Sequence, residues 1–409
     1  MSGRLRFRWR AACMAATLLA IASRVQSEPA PAAPTPAAPT PGASVPESVG
    51  SRFVDSSDGW LDISAFLDTA YGFVPIVSPI TEPAVGYGAA AALVFVDRNP
   101  PSSDGRFVRP DLTAVGGAAT ENGTQGVFGA HLGSWMDGHL QTLVGLADAD
   151  LDLEYFGLGG GRFDRPNGLK YSIGATGGVV GASYRPGDTH AWIGLRYGYA
   201  RTDVTPGWTR RPPPVFPGRP VLPRPDLSLD LGLLVPTLTF DTRDNFFTPT
   251  RGWYVDLSAP FARGAFGSDR DFEKLDLNVI HYRPLGERWF IGVRAAAKTS
   301  SDGTPFFLRP FVVLRGVEAL RYQGDQAAEV ELESRWQVHP RFSLLAFGGT
   351  GAARSDQNRA DREQTAWGAG VGFRYLAART YGLHMGVDVA WGPDEPIFYV
   401  VFGSAWLRP

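Results

Sequence analysis

Residues 314–336, LRGVEALRYQGDQAAEVELESRW, decide the fold. The first half reads as a loop, Arg315-Gly316 followed by Arg321-Tyr322-Gln323-Gly324-Asp325. The second half alternates strictly. Glu329, Glu331, Glu333 and Arg335 fall on one side, and Val330, Leu332, Ser334 and Trp336 on the other. A strand sends successive side chains to opposite faces. One charged face and one mostly apolar face suit a wall with water on one side and lipid on the other.

The same pattern extends outward along the chain. Lys274, Asp276 and Asn278 oppose Leu275, Leu277 and Val279. Arg294 and Lys298 oppose Trp289, Ile291 and Val293, while Gly382, His384, Gly386 and Asp388 oppose Leu383, Met385, Val387 and Val389. A charge facing the bilayer midplane costs about 2–4 kcal/mol, which explains why the charges keep to one parity. Strand-like segments read at 85–97, 106–119, 125–135, 139–154, 170–185, 189–203, 227–242, 252–264, 272–284, 287–299, 305–313, 327–338, 341–353, 365–377, 381–391 and 397–406. They make a sixteen-stranded antiparallel transmembrane β-barrel, all-β and even in strand number. Trp253, Trp289, Trp336, Trp367, Trp391 and Trp406 lie near strand ends, as interfacial belts require. Short turns such as Asp137-Gly138, Pro186-Gly187 and Leu285-Gly286 alternate with longer connections around 157–169, 204–226 and 353–364.

The N-terminus reads as a secretory signal over 1–27. Arg4, Arg6, Arg8 and Arg10 form its basic region, Ala11–Ala22 its apolar core, and Val25 and Ser27 its cleavage site. The only cysteine, Cys13, lies in that core, so the mature protein is expected to have no thiol or disulfide chemistry. Residues 28–50 are an Ala/Pro-rich extended spacer. Residues 51–84 form an N-terminal segment with a short helix or plug, capped by Asp58 or Asp62 and presenting Ile63, Phe66 and Leu67. The barrel occupies 85–409. No later segment offers roughly twenty uninterrupted apolar residues for a helical span. A formal net charge of −2 gives no attraction to nucleic acid.

Three motifs carry a family resemblance. Phe240–Val255, FDTRDNFFTPTRGWYV, resembles the strand–turn–strand signature of the bacterial surface antigen family, the barrels related to BamA and TamA. Leu314-Arg315-Gly316-Val317 resembles that family's VRGF/Y loop tip, which folds back into the barrel, and it falls between the expected eleventh and twelfth strands. Ile80–Gly88, ITEPAVGYG, resembles the entry to the family's first strand.

The resemblance implies a lumen lock in which Arg315 and Gly316 form the loop tip and Glu333 is the acidic partner. Glu331 and Glu329 stand on the same face as further partners. It also implies a C-terminal strand signal in Ile397–Trp406, with Phe398, Val400, Phe402 and Trp406 on one face. Three departures accompany it. Phe347-Gly348-Gly349 has Gly349 where the family carries an aspartate facing the arginine, and Val317 replaces the tip aromatic. Too few residues separate Ser27 from the first strand for a POTRA module, so a barrel lacking POTRA modules is expected.

Catalytic patterns are not apparent. His131, His139, His190, His281, His339 and His384 show no zinc-site spacing, and no Ser/His set stands out. Gly157-Leu158-Gly159-Gly160-Gly161 lacks the lysine and the helix of a phosphate loop. The expectation is a non-enzymatic barrel of the bacterial outer membrane with no cofactor, surrounded by outer-membrane lipid. It would insert or translocate polypeptide or lipid across a weak seam between residues 85–96 and 397–406. A passive pore or partner-bound channel is the alternative, with a rim-located hydrolase third.

Overall fold

The computed structural model describes residues 53–69, 74–97, 99–100, 103, 108, 111–156, 169–207, 227–245, 247–355 and 362–407. The signal and spacer expected at 1–50 lie outside them, as does the Gly157–Gly161 run.

Antiparallel strands joined in one sheet dominate the described residues. They are β1 (Val74–Ile80), β2 (Gly88–Asp97), β3 (Asp111–Thr120), β4 (Gln125–Trp135), β5 (Leu140–Tyr155), β6 (Leu169–Tyr184), β7 (Ala191–Pro206), β8 (Leu227–Asp241) and β9 (Gly252–Ser258). Then follow β10 (Phe261–Ala262), β11 (Phe272–Pro284), β12 (Trp289–Ser300), β13 (Gln326–His339), β14 (Phe342–Ser355), β15 (Arg362–Ala378), β16 (Leu383–Trp391) and β17 (Ile397–Phe402). β9 and β10 both lie between β8 and β11 and are parted at Ala259-Pro260. Proline has no N–H to give the ladder, so the strand breaks there. The seventeen strands of the sheet therefore occupy sixteen positions among the described residues.

The count of sixteen is reached differently from the sequence reading. Residues 305–313 are not a wall strand. They turn inward through a short 3-10 helix, Phe306–Leu308, and make a single bridge, Phe311 to Gln323. Phe306, Phe307, Leu308 and Val312 supply apolar side chains to the interior instead of alternating. In exchange, β1 forms inside the segment read as a helix or plug and pairs with β2 from Val74↔Val94 to Ile80↔Gly88. The sheet thus begins before residue 85. The helix shrinks to α1 (Ser64–Thr69), where Asp62 Oδ1 accepts a hydrogen bond from the Ser64 N–H at 2.7 Å.

The alternation has a physical outcome. On β13, Glu329, Glu331 and Arg335 are buried inside, while Val330, Leu332 and Trp336 lie on the outer surface. Trp289 and Trp336 are cross-strand partners that stack on that surface with centroids 5.6 Å apart. Val127, Leu146, Ile193, Leu195 and Val371 are likewise exposed outward. An apolar exterior around a polar interior is the membrane-barrel arrangement. Short turns at 136–139, 285–288, 340–341 and 379–382 share one rim, and the connection 301–325 starts from the other. No helix among the described residues is long and apolar enough to cross a membrane, which says nothing about strands.

Ladders run without interruption from β1–β2 round to β16–β17. Among the described residues none joins β1 to β17. The seam edge on the N-terminal side is therefore β1, not the expected 85–96.

Candidate functional site

The connection between β12 and β13, residues 301–325, fills the lumen. Its first part is apolar. Phe306, Phe307, Leu308 and Leu320 pack with Leu151, Ile173, Leu229 and Phe272 from β5, β6, β8 and β11. Phe306 meets Tyr155 and Tyr171 edge-on, each at 5.1 Å. The second part is ionic, and it holds the arginine singled out by sequence.

Arg315 Nε donates to Glu331 Oε1 at 2.5 Å, and Nη1 donates to Asp388 Oδ2 at 3.1 Å. Glu333 Oε2 lies 2.8 Å from Nη1 but off the hydrogen-bond axis, so that contact is Coulombic. The guanidinium carbon sits 3.5 Å from the centre of the Phe347 ring. Nη2 has no hydrogen-bond partner among the described residues, and the π face of Phe347 supplies the remaining attraction. Arg374 Nη1 and Nη2 donate to the two oxygens of Asp388 at 2.5 and 3.0 Å, neutralising part of the acidic cluster. The Gly316 N–H donates to the Tyr399 hydroxyl at 3.0 Å. Every strand from β13 to β17 thus contributes to the site: Glu331 and Glu333 from β13, Phe347 from β14, Arg374 from β15, Asp388 from β16 and Tyr399 from β17.

Backbone geometry makes room for the tip. Gly316 has φ 87, in the left-handed region, and a Cβ there would meet the Trp391 carbonyl oxygen at 2.6 Å. On the wall, a Cβ on Gly368 would meet the Arg315 carbonyl oxygen at 2.0 Å. Gly349 faces Glu331 across the β13–β14 ladder, and a Cβ there would crowd Leu314. Asp388, two strands further on from Gly349, supplies a third carboxylate to Arg315. Val317 is buried with Val312 and Leu314, so the tip's apolar contact is aliphatic.

Sequence reading brought Arg315, Gly316, Glu331 and Glu333 to one place, and the structure brings them together. It places Glu329 in a neighbouring cluster, accepting from Arg294 Nη2 at 2.9 Å and from Lys298 Nζ at 3.2 Å. Arg294 Nη1 also donates to the Val313 carbonyl at 3.0 Å, a second attachment of the loop. Reading by sequence missed Asp388, Arg374 and Tyr399 as members of the site. The available signal was parity, because Asp388 already stood on the polar face of its strand.

Trp406 departs from its expected face. Phe398 and Phe402 point outward with Val400 on the same parity, but β17 ends at Phe402. Gly403, at φ 74, reverses the backbone, and Trp406 swings into the lumen. Its indole N–H donates to Glu331 Oε2 at 3.0 Å, and its ring tilts against Tyr282 at 5.5 Å.

At the long-loop rim the loop continues into an acidic neighbourhood. Burial, followed by Glu154, Glu82 and Asp394, pushes the Glu318 carboxyl up to about 7 against the opposing effect of Arg321. Arg321 Nε pairs with Asp394 at 3.3 Å, and the Ala319 N–H donates to Glu82 Oε1 at 3.1 Å. Among the described residues no group of three or more His, Cys, Asp or Glu side chains is arranged to hold a metal ion.

The model of the Omp85 superfamily domain matches residues 162–310. No curated protein matches the chain. Among solved structures, the chain is similar to BamA from Haemophilus ducreyi lacking POTRA domains 1-3, with TM-score 0.57, 12% identity, and coverage of 81% of this chain and 70% of that one. It is also similar to CdiB from Escherichia coli, with TM-score 0.55, 14% identity, and coverage of 80% and 62%. CdiB from Acinetobacter baumannii follows with TM-score 0.50, 8% identity, and coverage of 81% and 59%. At these identities the likeness is one of fold, and the chain spans about six-tenths of the length of the CdiB chains.

Proposed function

We propose that this BamA/TamA-type superfamily barrel is a non-enzymatic outer-membrane protein that inserts or translocates polypeptide or lipid. The observation that supports this most is the lumen loop. A tip held by Arg315 against Glu331, Glu333 and Asp388 occupies the space a passive pore would leave to water. The reading places the short-turn rim in the periplasm and the longer connections outside the cell. The seam between β1 and β17, where no ladder forms among the described residues, is the natural site for a client strand to pair by β-augmentation or for a lipid to cross. No cofactor is needed for either step, since both exchange contacts and form no bond.

The test is reconstitution of the full chain in vesicles of outer-membrane lipid. Movement of an unfolded polypeptide is read by protease protection, and movement of lipid by a fluorescent headgroup. The expected result is transport of one of them, changed by Arg315→Ala. Transport of neither would overturn the reading. A steady ohmic conductance in planar bilayers would instead support the passive or partner-bound channel.

A further inference from the structure

A second arginine cluster lies at the short-turn rim. Arg341 is in the turn between β13 and β14, and all five of its N–H groups donate. Nε donates to Asp58 at 2.6 Å, Nη1 to Asp62 at 2.6 Å and to the Leu376 carbonyl at 3.1 Å, and Nη2 to Asp55 at 2.6 Å and Asp58 at 3.0 Å. Arg379, in the turn between β15 and β16, adds Nη1 to Asp55 at 2.9 Å and Nη2 to Asp58. The backbone joins in. The Ile63 N–H donates to the Ala377 carbonyl at 2.8 Å, the Arg379 N–H to Asp62 at 3.1 Å, and the Thr380 N–H to the Ser64 hydroxyl at 3.1 Å. This clasp fixes the acidic face of residues 53–62 against the rim.

The opposite face is apolar. Residues 53–62 fold as a small hairpin, in which the Asp62 N–H donates to the Phe53 carbonyl and the Asp55 N–H to the Trp60 carbonyl, each at 2.9 Å. Val54 and Leu61 are bridged across it. Bridged residues put their side chains on one face, and neighbours along a strand alternate. Asp62 faces Arg341, so Leu61 and Val54 face away from it, and they are 54% and 47% exposed. Trp60, 43% exposed, reaches over the outer wall. It packs edge-on against Phe342 at 5.0 Å, and Phe342 stacks on Phe373 at 5.7 Å. Tyr375 donates its hydroxyl to the Leu61 carbonyl beside them. Phe342 and Phe373 share the outward parity of Leu344 and Val371 on β14 and β15. Phe373 pairs with Leu344 and Leu344 with Trp336, so Trp60 lies next to the row that carries the Trp289–Trp336 stack. Tryptophans gather at this level because their rings suit the boundary between headgroups and acyl chains.

We infer that the 53–62 hairpin is a membrane-interface anchor, whose Val54, Trp60 and Leu61 side chains lie in the phospholipid of the leaflet at the short-turn rim. Two observations favour lipid as the occupant. The exposed patch is continuous, through Phe342 and Phe373, with the wall that faces the acyl chains. The three carboxylates of the hairpin are turned to Arg341 and Arg379, so no charged group has to enter the bilayer with the apolar face. Three acids against two arginines leave no cationic surplus, so contact is apolar and owes nothing to anionic headgroups. The inference needs the barrel to sit in a bilayer but uses no substrate and no transport step, so it stands or falls apart from the proposed function.

The test is nitroxide accessibility on the full chain, carrying Cys13→Ser, reconstituted in phosphatidylcholine vesicles. Single labels are placed at Val54→Cys and at Leu61→Cys, and either one suffices if the other variant fails to assemble. Val371→Cys on the outer wall gives the lipid limit, and Ser56→Cys at the hairpin turn gives the water limit. Collisions with oxygen report lipid, and collisions with a water-soluble nickel chelate report solvent. The expected result is an oxygen-to-nickel ratio at 54 and 61 severalfold above that at 56 and close to that at 371. A ratio at 54 and 61 equal to that at 56 overturns the anchor. Labels shielded from both reagents also overturn it, since a second copy or a protein partner would then cover the patch. The ratio is further expected to stay the same in high salt and on adding phosphatidylglycerol. A ratio that falls with salt would mean attraction by charge, which salt screens, and would reject apolar insertion.

Discussion

Arg315 and Arg341 each face three carboxylates, yet they are built in opposite senses. At Arg315 the arginine belongs to the loop and the acids belong to the wall. At Arg341 the arginine belongs to the wall and the acids to the N-terminal segment. Arg341 uses every N–H it has, whereas Arg315 leaves Nη2 without a hydrogen-bond partner. Counting bonds would make Arg341 the stronger anchor. Surroundings reverse that order. Glu331 and Asp388 are sealed in the lumen, while Asp55 and Asp58 keep part of their surface in water at the rim. A carboxylate that loses its partner near water is resolvated, but one inside the lumen is not.

The largest expected effect follows from that difference. Arg315→Ala strands Glu331 and Glu333 in the lumen, and loss of one partner of a buried pair costs about 3–5 kcal/mol. Asp388 retains Arg374, so the damage is expected to centre on the loop. The measurements are the unfolding midpoint on heat-modifiability gels and protease cutting within 301–325. A midpoint unchanged from wild type would end the distinction between lumen and rim.

Leu332→Arg puts a guanidinium in a third setting, the lipid face, with no carboxylate opposite. Its cost is about 2–4 kcal/mol if the residue lies near the midplane. Impaired membrane assembly with normal folding of Glu331→Gln in the same assay is the expected contrast. Equal impairment of both would show that the wall's two faces are less distinct than their burial implies.

Arg341→Ala is expected to have a smaller effect on barrel melting than either of these. It frees the N-terminal segment, read as new protease cutting between residues 53 and 66 while the barrel resists. A loss of melting temperature as large as that of Arg315→Ala would place the two clusters in one class.

The smallest effects are those of pH, and their signs are opposed. Hydrogen bonding to Arg341 comes first among the effects that hold the Asp58 carboxyl down at about 2. A depressed carboxyl contributes stability above its unfolded value near 3.8, and that contribution is lost as pH falls toward 2. Glu318 is raised from 4.5 to about 7, so it favours the folded loop below 4.5, and this contribution is lost as pH rises through 7. Loop protection is therefore expected to weaken between pH 4.5 and 7, with the rim clasp unaffected over that range. Amide exchange of 314–325 and of 53–66, followed against pH, separates the two.

Much of this was legible in the sequence. Alternation in β13 assigned Glu331 and Leu332 to opposite faces, because strand geometry leaves a side chain only two directions. The Leu314–Val317 motif located the loop tip between the eleventh and twelfth wall positions. Residues 305–313 were misread because an apolar run satisfies a wall strand and a lumen filling equally well. Trp406 was misread because one glycine, Gly403, ends the period-two pattern that its placement assumed.

By itself, then, the chain's periodicity determined an antiparallel wall, its polar and apolar faces, and the arginine at the loop tip. Those are local properties, set by the direction of neighbouring side chains and by the cost of charge in lipid. Tertiary structure alone decided that Asp388 reaches Arg315, that Trp406 donates to Glu331, and that Asp55, Asp58 and Asp62 converge on Arg341. Each of these joins residues that are distant in the chain. Only the curl of the sheet, which brings one edge round toward the other, supplies their distances.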